Sequence, residues 1–120
     1  MKRFMLKSKI HRARLTGVDL DYEGSITIDR ALLDAADMLP GEQVHVLNLN
    51  NGSRIVTYII AAPEHSGTVL LNGPAARMGQ PGDLVIVLTY CELPDAEAGA
   101  FEPRIVLLDG NNALKEPRSL

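Results

Sequence analysis

One short pattern occurs twice and constrains this chain more than any other feature. Pro40-Gly41-Glu42-Gln43-Val44-His45-Val46-Leu47 returns as Pro81-Gly82-Asp83-Leu84-Val85-Ile86-Val87-Leu88. In each copy a Pro-Gly-acid turn feeds an apolar run of strand type, and a stretch of small residues with helical character precedes it. A unit that cannot bury its apolar face alone is stabilised by stacking on its own repeat, so two related halves interleaved in one barrel are expected rather than two domains. The same tripeptide is also a common turn. The repeat therefore needs the support of the other strand-like runs, which are Met5 to Leu15, Ser25 to Ile28, Gln43 to Leu49, Arg54 to Ile60, Thr68 to Leu71, Leu84 to Leu93 and Arg104 to Leu108.

Between these runs the punctuation is specific. Asn50-Asn51-Gly52 reads as a hairpin turn, because Asn and Gly tolerate positive φ. Asp29 can cap a short helix whose apolar stripe is Ala31, Leu32, Ala35 and Ala36, and Pro74 suits the first turn of a second one. With 120 residues, 46% of them apolar, the chain fits one domain with a sizeable core. The stretch from Asn112 to Leu120 carries no pattern and is expected to be a flexible tail. A mainly β chain of this kind, with a repeated half, resembles the double-psi barrels, and the expected fold is a small closed six-stranded double-psi β-barrel with short helices.

Charge and cysteine content narrow the function. Net charge is −3, yet Lys2, Arg3, Lys7, Lys9, Arg12 and Arg14 crowd the first fourteen residues with no acid among them. Such an arm suits phosphates, a small anionic substrate, or simply a solvated strand face. Alternation places Lys7, Lys9 and His11 on one face, with Ile10 and Arg12 on the other. A single cysteine, Cys91, cannot form an internal disulfide. No apolar run approaches the roughly 20 residues that cross a bilayer, and the basic start lacks the apolar core of a signal peptide. A soluble cytoplasmic protein is expected. Phosphate-loop glycines, paired Cys ligands and a close His pair are all missing from the sequence, so no metal is expected. The scarcity of aromatics, with no Trp, argues against a base-stacking nucleic-acid surface. Cys91, His45 and His65 read as structural or surface residues.

Gly24-Ser25 resembles the cleavage point of the self-processing pyruvoyl-dependent aspartate 1-decarboxylases, and the chemistry that this resemblance implies suits the two residues. Ser25 has a nucleophilic hydroxyl, and Gly24 before it has no side chain to shield its carbonyl or resist strained geometry. If the hydroxyl replaces the peptide nitrogen on the Gly24 carbonyl, an ester results. β-Elimination then breaks the ester's Cβ–O bond and leaves Gly24 as a free carboxylate and residue 25 as dehydroalanine. Water converts the dehydroalanine to a pyruvoyl group and ammonia. One chain would become two, residues 1–24 and 25–120.

Tyr22-Glu23-Gly24-Ser25 resembles the self-processing site of the pyruvoyl-dependent aspartate 1-decarboxylases, which make beta-alanine for pantothenate and coenzyme A. The resemblance continues through Lys9-Ile10-His11-Arg12, Asn51-Gly52-Ser53-Arg54, Thr57-Tyr58, Asn72-Gly73 and Pro81-Gly82-Asp83, in the family's order, and covers Met5 to Asn111. It implies a pyruvoyl cofactor made from Ser25 that holds L-aspartate as a Schiff base, with neither metal nor pyridoxal phosphate. Thr57 would donate to the oxyanion formed at the Gly24 carbonyl, and Tyr58 would protonate the carbanion. Lys9 and Arg54 would hold the retained carboxylate. His11 and Tyr22 would orient substrate or processing loop, and Asn72, Gly73 and Ala75 would form a substrate-contacting turn. Pro74 departs from the small residue expected there and lacks a backbone N–H. Taken alone, Thr57 is an ordinary strand residue and Arg54 an ordinary surface charge. The family also implies a homotetramer with sites between subunits, with or without a maturation helper protein. Neighbouring Thr57 and Tyr58 should point to opposite faces of a strand, which favours such a shared site.

A DNA-binding regulator on a related small barrel is one competing reading, resting on the basic arm and opposed by an acidic remainder and a pI near 5.5; a barrel that assembles but never matures, a structural or regulatory subunit, is the other.

Overall fold

The computed structural model describes residues 1–115. Eight strands form one sheet: β1 (Lys2–Arg14), β2 (Gly17–Asp19), β3 (Ser25–Asp29), β4 (Gln43–Asn48), β5 (Arg54–Ala62), β6 (Val69–Asn72), β7 (Leu84–Pro94) and β8 (Arg104–Leu107), in the order β2-β6-β3-β5-β4-β7-β1-β8. Helices α1 (Arg30–Ala36) and α2 (Asp95–Ala98) and a 3-10 segment, Gly73–Met78, complete the fold. The mainly β architecture with short helices is the expected one. Its ladder contains eight strands rather than six, partly because β2 is three residues long, too short for an alternating pattern to register.

The ladder itself is open, with β2 and β8 as its ends. It is nevertheless forced to curl, because only Leu15 and Thr16 separate β1 from β2, which lie near opposite ends of the strand order. Thr16 straps this seam. Its N–H donates to the Val69 carbonyl at 2.8 Å, and its hydroxyl accepts from the Val69 N–H at 3.0 Å. One residue earlier, the Leu15 N–H donates to the Asp83 carbonyl at 2.8 Å.

The sequence repeat is a structural repeat. Gly41 and Gly82 occupy equivalent turns at φ +86° and +94°, a conformation that glycine adopts without steric penalty. Val44 and Val46 in β4, and Val85 and Val87 in β7, all point into the core. The two copies meet as antiparallel neighbours, with Val46 opposite Val87. Around them Ile10, Ile26, Leu33 and Val69 are fully buried, which makes one continuous core.

Local signals are mostly realised. The Asp29 carboxylate accepts from the Ala31 N–H at 2.8 Å and caps α1, whose buried residues are Leu32, Leu33 and Ala36. The hairpin turn joins β4 to β5 with Gly52 at φ +75°. Pro74 opens a helical segment as expected, although that segment is 3-10 rather than α. Two expectations are corrected. Arg12 does not share a face with Ile10, because it sits at φ +65° in a register shift between Ile10 and Ala13, and this bulge throws it outward. Nor is the chain loose from Asn112. The Asn112 amide donates to the carbonyls of Arg14 and Gly67 at 2.8 and 2.9 Å, its oxygen accepts from the Arg14 N–H at 2.7 Å, and Leu114 bridges to Leu108. The remainder of the expected tail, 116–120, lies outside the described residues.

Among the described residues, no helix is long and apolar enough to cross a membrane.

Candidate active site

Ser25 opens β3 directly opposite Asn72, the last residue of β6. Its side chain is fully buried, and its hydroxyl donates to the Glu23 carbonyl at 2.9 Å while accepting from the Asn72 amide at 3.0 Å. The same Asn72 amide donates to Thr27 at 2.8 Å, so both of its hydrogens are used and its orientation is fixed. A fully buried hydroxyl held on both sides has a defined position relative to the peptide bond that precedes it.

Gly73 explains how the 22–24 loop comes so close. At φ +60° it takes a conformation that disfavours side chains. A Cβ added there would lie 2.7 Å from both the Gly24 nitrogen and the Tyr22 carbonyl oxygen, and 2.9 Å from the Gly24 Cα. The Pro74 ring closes the other side, with its Cδ 3.2 Å from where a Gly24 Cβ would be. Because Pro74 sits in the first turn of the 3-10 segment, its missing N–H is one that the segment would leave unbonded in any case.

Beside this loop lies a cavity of about 410 Å³ lined by Gly24, Ile55, Val56, Thr57, Pro74, Ala75 and Met78. Thr57 therefore shares a chamber with Gly24. Tyr58 approaches from the other side, as strand alternation requires, and its hydroxyl donates to the Glu23 carboxylate at 3.3 Å. Partial burial first, then the Glu23 charge and hydrogen bond, with a contribution from Tyr22, hold the Tyr58 phenol above its ordinary value of 10.0. Residues on opposite faces of β5 thus both come near the 23–25 segment of the same chain.

The structure brings Gly24, Ser25, Thr57, Tyr58, Asn72, Gly73, Pro74 and Ala75 together, with Tyr22 in the same loop. It does not bring Lys9, His11 or Arg54 to them. Lys9 lies on β1 opposite Leu88 and Ile105, facing outward between buried Ser8 and Ile10. His11 is half-buried opposite Leu107. Arg54 reaches across the outer face of the sheet, where its Nη2 meets His45 Nδ1 at 3.2 Å and donates to the Tyr90 hydroxyl at 3.3 Å.

Three residues that the sequence reading passed over are now visible. Glu23 joins the Ser25 and Tyr58 hydroxyls, and its place beside Gly24 was the available signal. His45 and Tyr90 hold Arg54. The hairpin register, which sets His45 opposite Val56, could have found His45, whereas Tyr90 lies a further strand away. No group of three or more His, Cys, Asp or Glu side chains that could hold a metal occurs among the described residues.

Comparison with known proteins identifies the family. The aspartate decarboxylase family model matches residues 1–115. An aspartate 1-decarboxylase of Syntrophobacter fumaroxidans is 57% identical over 112 residues, covering 93% of this chain and 90% of that protein. One from Caulobacter vibrioides is likewise 57% identical, covering 93% and 95%, and one from Thermoanaerobacter pseudethanolicus is 51% identical, covering 93% and 96%. A crystal structure of a computationally designed protein is similar at TM-score 0.48 and 17% identity, over 74% of this chain and 99% of that one. With a family model matching nearly its whole length and relatives more than half identical to it, the chain belongs to the aspartate decarboxylase family.

Proposed function

We propose that the chain cuts its own backbone between Gly24 and Ser25, and that residue 25, as a pyruvoyl group, serves the decarboxylation of L-aspartate to beta-alanine and carbon dioxide for pantothenate and coenzyme A synthesis in the cytoplasm. The observation that carries this is the buried Ser25 hydroxyl, fixed between Glu23 and Asn72 next to a glycine whose surroundings exclude any side chain at residue 73. Gly24, which precedes residue 25, lines the chamber that Thr57 shares, and the Asn72 amide that now donates to the Ser25 hydroxyl could donate equally to a small carbonyl group at this position. A pyruvoyl group supplies the electron sink for the carbon that loses carbon dioxide, the part pyridoxal phosphate plays elsewhere.

The chain's own groups have distinct tasks. For cleavage, the Ser25 hydroxyl must leave the Glu23 carbonyl and turn to the Gly24 carbonyl carbon. Thr57 faces the chamber where the oxyanion would form and is the donor for it. In turnover, Tyr58 is the proton donor, and partial burial followed by the Glu23 charge and hydrogen bond favours its protonated form. Asn72 and the turn 73–75 shape the substrate side and Tyr22 orients the loop, while His11, on β1 with Lys9, would act on substrate held by a neighbouring copy.

Lys9 and Arg54, the groups for the retained carboxylate, face outward on the β5-β4-β7-β1 face and serve residue 25 of a neighbouring copy. That face also exposes Phe4, Val56, Tyr58 and Tyr90 at 81%, 55%, 37% and 40%, a large apolar surface for a lone chain to leave in water. That exposed face supports the homotetramer with shared sites that the family resemblance implies. The DNA-binding reading loses its main support, because Lys2 pairs with Glu92, Arg3 with Asp95 and Lys7 with Glu42.

Intact mass measurement tests the proposal. Purified protein, before and after warming, should resolve into fragments 1–24 and 25–120, and the larger should gain an aspartate-derived adduct on borohydride treatment. Ser25→Ala should stay whole. Retained decarboxylation in that variant refutes the mechanism, and a wild-type chain that cleaves only with cell extract identifies a helper requirement.

A further inference from the structure

Arg54 starts on β5 opposite Leu47, yet its guanidinium ends above β4 and β7, two strands over. A long side chain on an open face has many rotamers, and something must select this one. The selecting groups are His45 and Tyr90. His45 Nδ1 lies 3.2 Å from Arg54 Nη2, and Arg54 has only donors, so Nδ1 accepts and the imidazole proton is on Nε2. The Tyr90 hydroxyl accepts from the same Nη2 at 3.3 Å. Tyr90 in turn fixes the imidazole by edge contact, with ring centroids 5.1 Å apart at 71°.

The direction of this pull matters. Strand register aligns Val56 of β5, His45 of β4, Leu88 of β7 and Lys9 of β1 in one row across the sheet. Adjacent strands lie about 4.8 Å apart. Drawing the guanidinium from β5 over His45 therefore moves it toward Lys9. Among the described residues neither Lys9 nor Arg54 has an acidic partner, although Lys2, Arg3 and Lys7 on the same first strand do. Two cations kept free of carboxylates and drawn toward each other suit an anion shared between them.

We propose that His45 and Tyr90 are positioning residues that set the Arg54 guanidinium beside Lys9, so that the pair grips the carboxylate that aspartate retains. This rests on the aspartate reading above. Both Nη2 hydrogens are engaged, and a two-point grip on a carboxylate uses one of them. The hydroxyl contact, the longer of the two, gives way to the charge-assisted bond, and His45 keeps the guanidinium in place while it does so.

The test is steady-state decarboxylation by the fully cleaved enzyme. His45→Phe retains the edge contact with Tyr90 but has no acceptor. It should raise KM for aspartate roughly three- to tenfold, the effect of losing one solvent-exposed hydrogen bond, with kcat and cleavage unchanged. His45→Asn, which puts an amide oxygen near the place of Nδ1, should restore much of the loss. Tyr90→Phe, which keeps the ring, should change KM by less than twofold, because that contact yields in the complex. An unchanged KM in His45→Phe, or failure of the Asn variant to rescue a raised one, overturns the positioning role. Arg54→Ala separates the two readings: a raised KM there beside an unchanged one in His45→Phe refutes only the positioning, whereas an unchanged KM in Arg54→Ala refutes the carboxylate grip itself.

Discussion

Replacing Gly73 by alanine probes the coupling between fold and cleavage directly. Two costs are predictable. An L-residue at φ +60° loses about 1–2 kcal/mol relative to glycine. The new methyl would also approach two backbone atoms at 2.7 Å and a third at 2.9 Å. None of these is the end of a flexible side chain, so the 22–24 loop must shift, at the roughly 1–3 kcal/mol typical of overpacking. The total is about 2–5 kcal/mol, a large share of the roughly 5–15 kcal/mol that holds a domain folded. Urea unfolding of Gly73→Ala should show a lower midpoint with an unchanged slope. The displaced loop includes Gly24, so its carbonyl carbon should move out of line with the Ser25 hydroxyl, and mass measurement over time should show slowed or abolished cleavage even where the protein stays folded. A stability change under about 0.5 kcal/mol with wild-type cleavage would refute the claim that residue 73 must be glycine to seat the loop.

Two further outcomes follow from single groups. Asp29 is 2% exposed, and its carboxylate accepts from the N–H groups of Ala31, His65 and Gly67, so Asp29→Ala orphans three donors and should cost at least about 2 kcal/mol in urea unfolding, with Asp29→Asn costing less; equal stability of Asp29→Ala and wild type would contradict this. Tyr58→Phe should still cleave but turn over slowly. Because burial and Glu23 raise the Tyr58 phenol, turnover that depends on its proton should persist as pH rises through about 10 and fall only above it, and Glu23→Gln should move that fall to lower pH; a pH profile that Glu23→Gln leaves in place would release Glu23 from this role.

Much of the local structure was legible because it depends on neighbours in the chain. The Pro-Gly turns, the Asn-Asn-Gly hairpin and the Asp29 cap each rest on backbone preferences within four residues. The paired inward valines of β4 and β7 follow from alternation once the repeat is seen. The motif residues around Ser25 were legible as a resemblance, and eight of those singled out do converge. Alternation failed at Arg12, since a bulge depends on the partner strand. Asn112 looked like tail because the carbonyls it bonds, those of Arg14 and Gly67, are far away in sequence.

The sequence by itself determined that strands dominate, that the chain is built of two related halves, and that a hydroxyl follows an unhindered glycine carbonyl, since each is a property of adjacent residues. Only the tertiary structure decided that Gly73 and Pro74 would clasp that glycine, that Tyr58 would meet Glu23, and that Arg54 would leave the Ser25 chamber for His45 and Tyr90. These contacts depend on strand register and sheet curvature, which are fixed by how the whole core packs rather than by any stretch of chain.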